Sequence, residues 1–405
     1  MIKVGTDIVE ISRFSDMKRE ELFKKRIFTE RENEYFGKLK NPYRSIAGAF
    51  AAKEAFSKYI GTGIRGFEFS DIEVLHNEQG KPYIEFKGRK IAADVSISHS
   101  DNYAIAVVCG DGLELLLADK DVARYRALIP KRDEDVNKGD CGRVFVVAGS
   151  VGMLGAACLS SKAAIRSGSG LVTLGTPEAI QPYASIKLTE VMACPLKCRD
   201  GMLSVEAIPE ILKRLKLSDV CAIGPGLGRA DDIFEIINAV INKEKPCVID
   251  ADGINALAKD ISILKDKKCD IVLTPHPGEM SRLTGLSIDE IQADREKVAL
   301  EFAKEHNVVV LLKGHRTVVA SPDGDVCINE TGNSAMASGG MGDVLTGVIA
   351  SFIGQGVSVY DSAVLGAYLH GLAGDIAAYE SGKLGVIAGD VEDRIPYAIK
   401  LINNE

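Results

Sequence analysis

From Arg143 onward the chain repeats one pattern, a short and nearly continuous Val/Ile/Leu run followed by a helix-forming segment. The runs fall at 144–148, 171–174, 220–223, 247–250, 271–273 and 308–312, with a helix expected over 156–167. Strands that are apolar on both faces have to be covered on both faces, so the pattern predicts a mostly parallel sheet between two helical layers, an α/β fold. Ligands of such sheets bind at the carboxyl ends of the strands. Five clusters stand at those ends: Gly149-Ser150, Gly224-Pro225-Gly226-Leu227-Gly228, Asp250-Ala251-Asp252-Gly253, Thr274-Pro275-His276-Pro277-Gly278-Glu279 and Lys313-Gly314-His315. Turn formation alone needs one or two, and five point to a nucleotide site.

The stretch from Asn333 to Leu345 adds the chemistry. Gly339, Gly340 and Gly342 expose backbone amides at the start of a helix, where the dipole also favours an anion, and Asp343 follows as a base for a substrate hydroxyl. By itself the motif is equally a turn with Asp343 as a helix cap.

The first 112 residues differ in order and in charge. They hold 18 basic and 17 acidic residues, leaving 31 and 40 for the rest of a 405-residue chain whose net charge is -8. Strands are expected at 2–9, 69–76, 81–86 and 103–109 and an amphipathic helix at 46–59, an α+β arrangement. The polar stretch 130–140 separates the two patterns. Two domains are therefore expected, 1–115 and 116–405. Asp7 ends the first strand, and Glu54 with Lys58 one turn later shares a helix face. Two carboxylates from separate elements beside a lysine suit Mg²⁺ on a pyrophosphate, although Glu54 and Lys58 alone also read as a solvated pair. The overall acidity argues against nucleic acid as a partner, and no apolar run is long enough to span a membrane. Nine scattered cysteines read as free thiols in a reducing compartment, and the start reads as a strand rather than a signal peptide, so a cytoplasmic protein is expected.

Two resemblances give these patterns a meaning. Lys138-Gly139-Asp140, Gly142-Arg143, Gly155-Ala156-Ala157, Arg166-Ser167-Gly168, Gly170-Leu171 and the clusters above resemble the NAD(P)H-hydrate dehydratases of the ribokinase-like, three-layer fold. That resemblance implies dehydration of NADH or NADPH hydrate driven by ADP or ATP. It assigns hydrate contacts to Ala156, Gly226, His276 and Asp343, and nucleotide contacts to Lys313, Gly314, His315, Arg316, Thr317, Gly339, Gly340 and Gly342, with Asp343 as catalytic base. His276, between two prolines, also reads as a structural turn residue. Asn137 stands where the family usually has histidine.

Val4-Gly5-Thr6-Asp7, Phe28-Thr29-Glu30-Arg31-Glu32, Phe50-Ala51-Ala52-Lys53-Glu54-Ala55, Gly61-Thr62-Gly63, Gly80-Lys81-Pro82 and Ser96-Ile97-Ser98-His99-Ser100 resemble holo-acyl-carrier-protein synthase, a phosphopantetheinyl transferase. The resemblance implies transfer of 4'-phosphopantetheine from coenzyme A to a serine of acyl carrier protein. Asp7 and Glu54 would hold Mg²⁺, with Glu54 and Lys58 catalytic and His99 near the site. Arg13, Lys18, Arg19, Lys24, Lys25 and Arg26 offer a basic docking face for the acidic carrier. Ala49 replaces a frequent arginine, and a homo-oligomer, trimeric in that family, is implied. The rival readings are a vitamin-precursor or sugar kinase for the second domain, or a non-catalytic binding or oligomerisation module for one of the two.

Overall fold

In the first 110 residues the alternation of apolar and polar positions forms strands that pack on one long helix. The computed structural model describes residues 2–403 apart from Arg19, Thr62, Ile64 and 118–121. Arg19 of the docking face and Thr62 of the Gly61-Thr62-Gly63 segment thus lie outside the described residues. The chain divides into two compact units, Met1–Val122 and Ala123–Glu405, and the polar stretch 130–140 lies in the second.

In the first unit, β1 (Lys3–Glu10) precedes α1 (Glu30–Gly37) and α2 (Tyr43–Ile60). A hairpin of β2 (Ile72–His76) and β3 (Pro82–Phe86) follows, then β4 (Asp94–His99) and β5 (Tyr103–Gly110). The segment 69–71, expected as the start of β2, is instead a 3-10 turn, closed by reciprocal hydrogen bonds between Glu68 and Asp71. Strands β1, β5 and β4 form an antiparallel sheet with β5 in the middle. Its inner face, through Val9, Ala104, Ala106, Val108 and Val95, packs with α2 into one core. Its outer face leaves Ile2, Val4, Ile8, Tyr103 and Ile105 exposed.

Lys53 is buried completely on α2, its ammonium 2.7 Å from the Glu32 carboxylate of α1 and donating to the carbonyls of Ile27, Phe69 and Ile72. Every donor of the ammonium is used, which is the condition for a charge to persist out of water.

The second unit is the α/β fold the apolar runs predict. Strands β6 (Arg143–Val147), β7 (Leu171–Pro177), β8 (Met192–Leu196), β9 (Val220–Ile223), β10 (Cys247–Ile249), β11 (Ile271–Leu273) and β12 (Val309–Leu312) are parallel to their neighbours. Two short antiparallel strands, β13 (Val318–Ala320) and β14 (Val326–Ile328), extend one edge, giving the order β14-β13-β12-β11-β10-β9-β6-β7-β8. Separate apolar cores lie against the two faces. The helices that matter for the site are α3 (Leu154–Arg166), α4 (Pro277–Thr284), α5 (Met341–Gly354), α6 (Val359–Ser381) and α7 (Ala388–Asn403). Among the described residues no helix is long and apolar enough to cross a membrane, and all nine cysteines are free.

Candidate active sites

In the first unit, the two-residue period of β1 turns Gly5, Asp7 and Val9 toward α2. A side chain at Gly5 would stand 1.9 Å from the Ala55 carbonyl oxygen, so α2 can cross β1 this closely only over glycine. That crossing brings the sequence-expected trio together. The Lys58 ammonium donates to Asp7 Oδ1 at 2.8 Å and to the Thr6 carbonyl at 2.9 Å. Burial, and then the Asp7 charge, raise the Glu54 pKa above the usual carboxylate range, with Lys58 and Arg13 acting against the shift. Two crowded carboxylates are a fit for a hard divalent cation, which would relieve that crowding. Among the described residues no group of three or more metal-ligating side chains exists, so the remaining ligands there would be water and phosphate oxygen, the usual habit of Mg²⁺.

His99 and Ala49 are placed elsewhere: with Arg44, His76 and Tyr83 they line a cavity of about 780 Å³ whose wall excludes Asp7, Glu54 and Lys58. Lys24, Lys25 and Arg26 lie in the last turn of a short helix, Glu20–Ile27, and Lys24 pairs with Glu20.

In the second unit the strand ends converge on Asp250. Its buried carboxylate accepts from Thr274 Oγ1 at 2.8 Å, Lys313 Nζ at 2.7 Å and Thr346 Oγ1 at 2.8 Å. Burial favours its neutral form, yet Lys313 and the two hydroxyls outweigh burial and hold its pKa below the ordinary range. Burial likewise works against the Lys313 charge, and the carboxylates of Asp250 and Glu279 more than restore it, so its pKa is raised. Ala251, between Asp250 and Asp252, has φ 51° and ψ -118°, a conformation that L-residues seldom adopt. It lets the Asp252 carboxylate turn to the Gly228 amide at 2.9 Å.

Gly340 caps α5 with φ 90°, where other residues are strained, and leaves the helix amides of the first turn bare. Asp343 stands in that turn. Burial first, and then the charge of Asp250, push its pKa up to about 7, against the pull of Lys313. A side chain on Gly342 would come within 3.1 Å of Lys313 Nζ, which places this cation directly under the helix start.

Beside it lies a cavity of about 540 Å³, walled by Lys313, Gly314, His315, Arg316 and Gly342 of the expected nucleotide set. Thr317, Gly339 and Gly340 are outside that wall, and Thr317 Oγ1 instead closes a turn onto the Gly314 carbonyl at 3.0 Å. His370, which sequence reasoning missed, also lines it. Burial and the Lys313 charge bring its pKa down to about 4, and its Nε2 is buried without a partner.

Of the expected hydrate contacts, Ala156 and Gly226 are adjacent, 3.0 Å from Cβ to the position a Gly226 side chain would take. His276 caps α4, its Nδ1 accepting from the amides of Gly278 at 2.9 Å and Glu279 at 3.3 Å, so the structural role of this histidine is real, and its Nε2 lies 3.4 Å from Glu279 Oε1. Asn137 begins a turn closed by the Asp140 amide, 2.9 Å from its carbonyl. Asp250 and Glu279 stand in the strand-end clusters that the sequence singles out, though with no role of their own, and Thr346 was missed. The spacing of Thr346 from Asp343, one turn along the same helix, is the signal that could have found it.

Comparison with known proteins is consistent with both sites. Residues 144–397 match the model of the NAD(P)H-hydrate dehydratase family, and residues 3–108 match that of the 4'-phosphopantetheinyl transferase superfamily. The bifunctional NAD(P)H-hydrate repair enzyme Nnr of Moorella thermoacetica is 45% identical over 282 residues, 69% of this chain and 53% of its own length. The chain therefore spans about half the length of the bifunctional relatives it matches. The ADP-dependent (S)-NAD(P)H-hydrate dehydratase of Bacillus subtilis is 35% identical over 272 residues, 67% of this chain and 94% of its own length. A crystal structure of the ADP/ATP-dependent enzyme from Bacillus subtilis, co-crystallised with ATP/Mg²⁺, aligns with TM-score 0.60 at 32% identity over 70% of this chain and 97% of that one. These matches do not favour the sugar or vitamin-precursor kinase alternative. By the extent and identity of its second unit, the chain belongs to the NAD(P)H-hydrate dehydratase family.

Proposed function

We propose that the second unit dehydrates NADH or NADPH hydrate at the expense of ADP or ATP. The observation that carries the reading is Asp343: a carboxyl at the glycine-capped start of α5, with its pKa near 7 and a lysine below it. A base is most useful when its pKa lies near the working pH. In the proposed route Asp343 removes the proton of the ring hydroxyl, and the oxygen attacks the terminal phosphorus of the nucleotide as the bond from that phosphorus to its bridging oxygen breaks, releasing ADP from ATP or AMP from ADP. The α5 amides and Lys313 stabilise the charge on the phosphoryl oxygens. The phosphorylated ring then loses phosphate through C–O cleavage and a proton from the neighbouring carbon, restoring the reduced nicotinamide. Incubating the full chain with NADH hydrate and ADP or ATP should restore the absorbance of the reduced cofactor. No recovery with either nucleotide would remove the proposal.

For the first unit we propose transfer of 4'-phosphopantetheine from coenzyme A to a serine of acyl carrier protein, supported by the convergence of Asp7, Glu54 and Lys58. Asp7 and Glu54 are the residues that would hold Mg²⁺, which supplies polarisation of the pyrophosphate when bound. Lys58 then neutralises charge on the departing 3',5'-ADP. The exposed lysines and arginines near Glu20–Ile27 support docking of an acidic carrier, and the apolar outer face of the β1-β5-β4 sheet supports a homo-oligomer. The test is a gain of the phosphopantetheine mass on apo carrier protein that requires coenzyme A.

A further inference from the structure

The second unit carries a basic cleft at the far ends of its helices. The wall of this cavity, about 720 Å³, includes Arg126, Lys131, Arg132, Arg166 and Lys400, against a single acid, Asp133. It is built around Ser167-Gly168 just beyond α3, Gln355 just beyond α5 and Asn403 at the end of α7. Asp343 stands in the first turn of α5 at the opposite end, and the rest of that 14-residue helix, at about 1.5 Å per residue, separates it from Gln355 by about 18 Å. The cleft is therefore distinct from the nucleotide cavity.

Helix ends attract cations without any ligand, and that accounts for part of the cluster. Arg166 and Lys400 are in last turns, and Arg126 and Arg132 donate to the carbonyls of Ile402 and Gly168. It does not account for the rest. Each of those arginines uses one bond of a five-donor group. Lys131 and Lys400 make no ion pair among the described residues. Arg166 uses only Nη2, which donates to the Asp393 carbonyl at 3.2 Å and lies 3.6 Å from its carboxylate. Cations left without a full set of partners around one hollow are a place for an anion that comes from outside.

We propose that this cleft binds an organic polyphosphate, two or more phosphate groups carried on a ring-bearing molecule. Five cations around one hollow match a multiply charged anion better than a single carboxylate. The half-buried side chains of Ile129, Pro396 and Ile399 provide apolar wall for a base or nicotinamide ring. The volume lies in the range of small-ligand pockets, whereas a protein partner needs a far broader surface. Nucleoside triphosphates and pyridine dinucleotides share this chemistry.

The test counts bound ligands on the full chain. Equilibrium dialysis with a non-hydrolysable ATP analogue should give, beside the tight class at the α5 site, a weaker class that Lys131→Glu with Lys400→Glu weakens at least tenfold. The double variant should keep the tight class and its turnover of hydrate, which shows that it is folded. Displacement of the weaker class by tripolyphosphate assigns recognition to the phosphates, and displacement by NADPH alone assigns it to a dinucleotide. A single binding class, or a weaker class that the charge reversal leaves unchanged, overturns the proposal.

Discussion

Lys313 Nζ lies 2.7 Å from Asp250 Oδ1, closing a sequence gap of 63 residues between the ends of two parallel strands. The pair acts on the nearby Asp343 carboxyl, whose pKa burial already pushes up. Asp250 raises its pKa, Lys313 lowers it, and burial tips the balance upward.

Replacing this carboxyl by an amide removes the base and keeps the shape. Asp343→Asn should lower hydrate turnover by about 10² to 10⁴, roughly 3 to 5 kcal/mol of barrier, while ADP or ATP still raises the melting temperature. Near-normal turnover would take Asp343 out of the mechanism, and loss of nucleotide binding would make it a cap of α5.

The same group predicts opposite pH trends for rate and stability. The base acts only when ionised, so turnover should rise tenfold per pH unit below about 7 and level off above it. Its folded pKa is raised above the ordinary 3.8, so its stabilising contribution is full below that value and is lost as the pH climbs through about 7. Asp343→Asn should therefore match the wild type in stability at pH 4 and exceed it by about 1 to 3 kcal/mol at pH 8, measured by urea denaturation. Equal stability at pH 8 would show that the carboxyl is not under electrostatic strain.

His370 lines the cavity beside α5, and its Nε2 is buried without a partner. Burial and the Lys313 charge bring its pKa down to about 4, so a role at that cavity would be hydrogen bonding rather than charge. His370→Phe should weaken nucleotide binding about tenfold, the worth of one buried hydrogen bond, with little change in the pH profile of turnover. Unaltered affinity by calorimetry would leave Nε2 without a ligand role.

In the first unit Asp7→Ala or Glu54→Ala should abolish carrier modification and leave hydrate dehydration intact. Carrier modification that persists in both variants would sink the metal assignment.

Gly5→Ala tests how that pair is positioned. The added carbon would overlap the Ala55 carbonyl, a backbone atom that cannot swing aside, so α2 has to retreat from β1. The first unit should lose about 3 kcal/mol or more, with carrier modification lost and hydrate turnover kept. Wild-type melting of the first unit would contradict the close crossing.

Sequence periodicity revealed what repeats and missed what is singular. The parallel strands and α2 stood out because their apolar patterns run over many residues, Asp343 because it stands at the start of a helix, and Glu54 and Lys58 because they share a helix face. Asp7, expected at the end of the first strand, instead lies within it because β1 runs on to Glu10. Strands β13 and β14, three residues each, are too short to show a period. Lys53 reads in sequence as one more charge beside Glu54, and only the fold reveals that it turns inward to Glu32. Asp250, Thr274 and Lys313 stood out in the strand-end clusters, but their meeting with Thr346 at one carboxylate was hidden for the same reason: the donors come from three places far apart in the chain.

Ala251 makes the two loops it joins a single mechanical part. Held at a backbone angle it would leave if free, it works like a bent leaf whose two ends are pinned, one by the bonds to Asp250 and the other by the Gly228 amide. Loosening either pin is therefore expected to shift the other. A hydroxyl such as Thr274, which serves one pin and stands on a different strand end from Gly228, thereby helps hold the Gly224-to-Gly228 loop in place.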